Sequence, residues 1–215
     1  MKKMIVAIAL ITSSTAFAQT GPRLYGGIEL GASRIDNQTG ELAGAFVSEF
    51  GGSAVATQDA NIGIARLFLG YRFDKMFAVE GGYFSTNKAD YAVTGVTSIA
   101  LGGNPYTATA KVDYQGFDVA GLWYPMAEKI DDSGFFLKAG LHHSEANASV
   151  TITGVGGSAS VNLDESGTGT LFGAGYDWKF SNDAFLRAGI TRYLKVAGES
   201  ENNGTVYSLA VGMNF

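Results

Sequence analysis

Asn61-Ile62-Gly63-Ile64-Ala65-Arg66-Leu67-Phe68-Leu69-Gly70-Tyr71-Arg72-Phe73, then Asp74-Lys75, then Met76-Phe77-Ala78-Val79-Glu80-Gly81-Gly82-Tyr83-Phe84-Ser85-Thr86: two alternating runs meet at a tight turn. A period of two belongs to a strand with unlike faces. Here Leu67, Leu69, Tyr71 and Phe73 share one face, and Arg66 and Arg72 share the other. The same unit recurs from Leu24 to the last residue, and the alternation predicts strands over 24–34, 61–73, 76–86, 112–124, 135–145, 168–180, 184–195 and 205–215.

The connections alternate in length. Asp74-Lys75, Pro125 to Gly134 and Ser181-Asn182-Asp183 are short, whereas 35–60, 87–111 and 146–167 are long and 196–204 is intermediate. Short and long connections therefore fall at opposite ends, which is the plan of a membrane barrel with tight periplasmic turns and larger outer loops. An even strand number puts both termini on the periplasmic side. Beside the short turns cluster Tyr71, Phe73, Phe77, Trp123, Tyr124, Phe135, Trp178, Phe180 and Phe185, read as an aromatic girdle at the headgroups. The closing run Tyr207-x-Leu209-x-Val211-x-Met213-x-Phe215 ends on an aromatic carboxy-terminus, the form of signal read by the outer-membrane assembly machinery, so Phe215 is the candidate assembly residue.

At the other end, Lys2 and Lys3 precede an apolar run from Met4 to Ile11 and an Ala16-Phe17-Ala18 site, the pattern of a cleaved signal peptide over 1–18. Residues 19–215 form one expected domain. Losing Lys2 and Lys3 and no acid takes the formal charge from -5 to -7, which argues against nucleic acid as a partner. With no cysteine, neither disulfides nor cysteine-linked lipid support the fold. After the signal no apolar run approaches about 18 residues, which excludes a helical membrane protein but not a barrel. The predicted fold is all-β, an eight-stranded antiparallel up-and-down transmembrane barrel whose narrow interior is filled by side chains.

Several stretches resemble the OmpA-like transmembrane barrel family, over essentially all of residues 22–215. Leu24-Tyr25-Gly26-Gly27-Ile28-Glu29-Leu30-Gly31 is similar to the family's first strand. Gly70 to Lys75 followed by Phe77 to Tyr83 resembles its first periplasmic hairpin, and Gly173 to Phe180 with Phe185 to Gly189 its sixth and seventh strands. Two departures stand out. The chain stops at Phe215, so the peptidoglycan-binding domain of larger members is not expected, and Glu29 stands where a member of the family carries a basic residue, so the internal charge arrangement need not be identical.

Alternation sends seven charged side chains inward: Glu29, Arg66, Arg72, Glu80, Lys138, Asp177 and Arg187. Asp118 joins them only if Phe117, Val119 and Trp123 face lipid; the family match gives the opposite phase. Three acids and four bases suit mutual pairing, because an unpaired charge in such an interior costs several kcal/mol. By resemblance, Glu80, Lys138, Asp177 and Arg187 match inward charges proposed to gate a small ion path.

His142-His143-Ser144-Glu145 is the one cluster with catalytic residue types. His142 and Ser144 share a face, as a base and a nucleophile would, and some lipid A deacylases are eight-stranded barrels with a His-x-Ser pair. Yet that face is the interior, whereas a lipid-cleaving pair should meet the bilayer. Adjacent histidines point to opposite faces and do not share a metal, and the Gly102-Gly103 and Gly156-Gly157 pairs read as loop tips without bases to hold phosphate. No enzyme activity, cofactor or metal is expected. The leading function is envelope integrity and surface interaction, with at most a narrow ion path. Expected partners are outer-membrane lipid, lipopolysaccharide, the assembly machinery, and host surfaces or phage at the outer loops. A lipid A-modifying hydrolase using His142 and Ser144, and a small-solute porin, are the alternatives.

Overall fold

The computed structural model describes residues 22–36, 39–59, 61–130, 133–181 and 183–215, and the expected signal peptide lies outside them. The strands are β1 (Arg23–Ile35), β2 (Ser53–Gln58), β3 (Asn61–Arg72), β4 (Phe77–Thr86), β5 (Ala89–Val96), β6 (Pro105–Trp123), β7 (Gly134–Gly154), β8 (Gly157–Lys179), β9 (Ala184–Leu194) and β10 (Gly204–Asn214). One helix, α1 (Thr39–Phe50), joins β1 to β2.

Eight of these strands close a ring in the order β1-β3-β4-β6-β7-β8-β9-β10, every neighbour antiparallel, with β10 back on β1 and β6 on β7. Closure leaves no free edge at membrane depth, where an unpaired backbone group would find no water. Large apolar side chains such as Ile28, Leu67, Leu69, Phe117, Val119, Leu141, Leu209 and Val211 stand outward, and all are exposed. The residues that alternate with them point inward and include the buried charges, so the molecule is apolar outside and mixed inside.

The short turn is built by its acid: Asp74 Oδ1 accepts hydrogen bonds from the backbone N–H of Met76 (2.6 Å) and Phe77 (2.8 Å). Local side-chain capture of this kind is why aspartate favours turns. Arg72 clamps the same turn by donating to the carbonyls of Asp74 and Lys75.

Three expectations are corrected. Residues 87–111 and 146–167 are not long loops: β5 pairs with the outer part of β6, and β7 and β8 continue as a hairpin to Gly154 and Gly157. The reason is visible in Ala146-x-Ala148-x-Val150-x-Ile152 and Ala159-x-Val161-x-Leu163, where the two-residue period persists with small side chains. Residues 35–60 hold α1 and β2, since Leu42, Phe46 and Phe50 recur at the helical spacing of four and Gly51 and Gly52, both at positive φ, end the helix. Tyr124 and Phe185 are not girdle residues. Each is 1% exposed inside the barrel, because Tyr124 is in phase with Asp118 and Phe185 with Arg187.

Candidate functional site

The interior is layered. Toward the short-turn end lie Tyr25, Phe68, Phe136 and Phe185, and toward the outer end Ile64, Phe84, Leu171, Tyr193 and Val206, all buried apolar surface. Between them sits a charged layer.

Arg66 and Arg187 organise it. Arg66 donates Nη1 to Glu29 (3.0 Å) and to Glu80 Oε1 (2.9 Å), and grips Asp118 through Nε (2.8 Å) and Nη2 (2.6 Å). Arg187 grips Asp177 through Nε (2.7 Å) and Nη2 (3.0 Å) and donates Nη1 to Glu80 Oε2 (2.6 Å). Glu80 is therefore the bridge, one oxygen to each guanidinium, at 0% exposure. Since β4 and β9 stand four places apart in the ring of eight, the Glu80–Arg187 pair spans the lumen. Bidentate arginine–carboxylate geometry is among the strongest polar contacts available and satisfies the remaining lone pairs.

Three phenols complete the acids' coordination: Tyr25 donates to Glu80 (3.1 Å), Tyr124 to Asp177 (3.0 Å) and Tyr193 to Asp118 (3.4 Å). Gly82 makes room for the Arg66 guanidinium, whose Nε lies 2.5 Å from where a Cβ would stand. The Arg187 guanidinium also lies 4.7 Å from the Phe136 ring centre, a cation–π contact with the aromatic layer.

All seven charged positions named from the sequence are buried, but not all belong to one assembly. Glu29, Arg66, Glu80, Asp177 and Arg187 form a continuous chain. Lys138 lies among them, its charge acting with Glu29, Glu80 and Asp118 and against Arg66, without a direct ion pair among the described residues. Arg72 stands apart, at the turn, with its guanidinium 3.9 Å from the Tyr124 ring centre. Asp118 joins the layer, because Phe117 and Val119 do face outward, and with Arg72 set apart the layer holds four acids, Glu29, Glu80, Asp118 and Asp177, against three bases, Arg66, Lys138 and Arg187. Sequence reasoning does not single out the three tyrosines as acid partners, although each lies in strand phase with an inward charge.

His142 and Ser144 are paired and buried. Ser144 Oγ lies 3.3 Å from His142 Nδ1 and accepts the Ala197 N–H at 2.8 Å, while His142 Nε2 meets the Leu194 carbonyl at 3.0 Å. A carbonyl accepts, so His142 carries its proton on Nε2 and Nδ1 accepts from the serine hydroxyl. No carboxylate among the described residues hydrogen-bonds to the ring to orient it. The pair instead holds the β9–β10 connection, where Lys195 and Ala197 take positive φ, folded into the mouth. Gly167 and Gly198 allow that close approach, with a Gly167 Cβ falling 2.4 Å from Gly198 Cα.

A family model described as outer membrane protein beta-barrel domain matches residues 4–215. No curated protein matches the sequence. Among solved structures, Ail, the attachment invasion locus protein of Yersinia pestis, in complex with the heparin analogue sucrose octasulfate, is 14% identical with a TM-score of 0.46, covering 89% of this chain and 99% of that one. OprG from Pseudomonas aeruginosa is 14% identical with a TM-score of 0.46, covering 91% and 96%. The N-terminal barrel domain of Pseudomonas aeruginosa OprF is 13% identical with a TM-score of 0.42, covering 88% and 99%.

Proposed function

The chain belongs to the outer-membrane β-barrel protein family and is an outer-membrane protein, and from that premise we propose a closed structural and surface-interaction barrel rather than a pore or an enzyme. On this reading residues 1–18 direct export, 19–215 form the barrel, Phe215 is recognised in assembly, and both termini lie in the periplasm. The outer ends of β5 to β8 meet lipopolysaccharide headgroups, host surfaces or phage.

The observation that carries the reading is the Glu29–Arg66–Glu80–Arg187–Asp177 chain across the lumen. Cavities beside it are small, 40 Å³ under Val196 and Val206 and 10 Å³ between Tyr124 and Asp177. Each has room for a few waters at most. A porin would need a far wider ring. A hydrolase would need its serine open to lipid, whereas Ser144 is buried and occupied by the Ala197 amide. What remains open to the lumen is a path for small ions when the Glu80 bridge parts.

Reconstitution in planar bilayers, with lipid A analysis of a deletion strain, separates the three functions. Small, infrequent ion steps with unaltered lipid A are expected. A steady solute-permeable conductance, or lipid A acylation that changes with His142→Ala, would replace the proposal with the corresponding alternative.

A further inference from the structure

Beyond the barrel rim the same sheet continues outward as β2, β5 and the outer parts of β6, β7 and β8. Cross-strand rows such as Ala110–Val150–Val161 and Val112–Ala148–Leu163 make its inner face apolar, while Thr109, Thr151 and Ser160 make its outer face polar. α1 packs over the Val93–Tyr106–Ala108 cluster of β5 and β6, which Ile152 of β7 also joins. Phe46 stacks on Tyr106 with ring centres 5.9 Å apart, and Phe50 lies 5.5 Å from the same ring. On the β7–β8 half the inward β7 residues Ala146, Ala148, Val150 and Ile152 are half-buried, and the β8 row is bare: Val161 and Leu163 are each 51% exposed.

Between that bare row, α1 and the β9–β10 connection lies an open cavity of 630 Å³. Its floor includes Val112, Ala148 and Leu163, its rim is Glu41, Glu165, Glu199 and Glu201, and no lysine or arginine among the described residues lines it. Glu201, sharing a hydrogen bond with Glu41 and repelling its charge, pushes the Glu41 carboxyl above its ordinary range, the mark of like charges facing each other without a base.

We propose that this half-face and its acidic rim dock a cationic amphipathic helix laid beside α1. The sheet already accepts one amphipathic helix on the adjoining half, so the new contact extends an existing interface. Its apolar stripe would cover Val161, Leu163 and Ala148, and its lysines or arginines would meet the glutamates. The span from Ala159 to Glu165 is about 20 Å at ~3.3 Å per strand residue. That is the length of about 13 helical residues, close to the 12 of α1. A second copy of this chain is a poor occupant, since it would bring the same acidic rim. The proposal rests on the surface-interaction reading, but its test exposes both ends of the barrel, so its failure leaves that reading standing.

The test uses the full barrel in zwitterionic phosphatidylcholine nanodiscs and a fluorescent 14-residue helix of leucines at i, i+3 and i+4 with lysines elsewhere, followed by anisotropy. Its glutamate counterpart and empty nanodiscs are the references. Binding about tenfold or more tighter to loaded than to empty discs is expected. Glu165→Gln with Glu201→Gln, and separately Leu163→Ser, should each weaken it about tenfold, and 0.5 M salt should remove the charge-dependent part. Heat-modifiable migration checks that the variants remain folded. Equal binding to empty discs, equal binding of the glutamate helix, or indifference to both sets of variants overturns the proposal. So does spermine competing fully at low concentration, which would mark a small-cation site, or Leu163→Cys cross-linking two copies.

Discussion

Replacing Arg187 by alanine removes a fully buried guanidinium that holds both Asp177 oxygens and one Glu80 oxygen. Breaking one side of a buried ion pair costs about 3–5 kcal/mol, because the other charge is stranded. Glu80 keeps Arg66 on Oε1 and Tyr25 on Oε2, while Asp177 keeps only the Tyr124 hydroxyl among these partners. Glu80's remaining partners limit the loss but Asp177's single hydroxyl does not, so about 3–5 kcal/mol should be lost, a hundredfold or more in the folding constant. Arg72→Ala is the control. That guanidinium holds two turn carbonyls and a ring face, contacts worth about 2 kcal/mol together, and its removal strands no opposite charge. Urea unfolding in phosphatidylcholine vesicles reads the stabilities, and planar bilayers read the ion steps, which Arg187→Ala should make more frequent. If Arg187→Ala costs no more than Arg72→Ala and leaves conductance unchanged, the charged layer is not a coupled plug.

Ser144→Ala leaves the buried Ala197 amide without its acceptor, so about 1–3 kcal/mol should be lost locally, read as faster hydrogen exchange over 195–203 with lipid A composition unaltered. Deleting Phe215, whose N–H donates to the Leu24 carbonyl at 2.8 Å, should deplete the folded, heat-modifiable form; accumulation at the normal level would remove it as the assembly residue. An epitope inserted near Gly102, in the β5–β6 turn, should be labelled on intact cells and one at Asp74-Lys75 should not, and the reverse pattern would invert the topology.

Much of this protein is legible from alternation alone. A two-residue period assigns each side chain to one face or the other from its own strand, so the lipid-facing band and the inward phase of Glu29, Arg66, Glu80, Asp177 and Arg187 follow from the chain without any partner. Even the outer extension is written there, in Ala146 to Ile152 and Ala159 to Leu163, and is faint only because alanine and serine make a weak contrast. Period says nothing about depth, however. Which inward charges meet depends on the stagger of eight hydrogen-bonded registers, and Glu80 and Arg187, 107 residues apart, come level only when the ring closes. The sheet's curvature brings Asp118 to Arg66 across β4, and closure drops Ala197 onto Ser144, contacts between non-adjacent segments that no local pattern encodes.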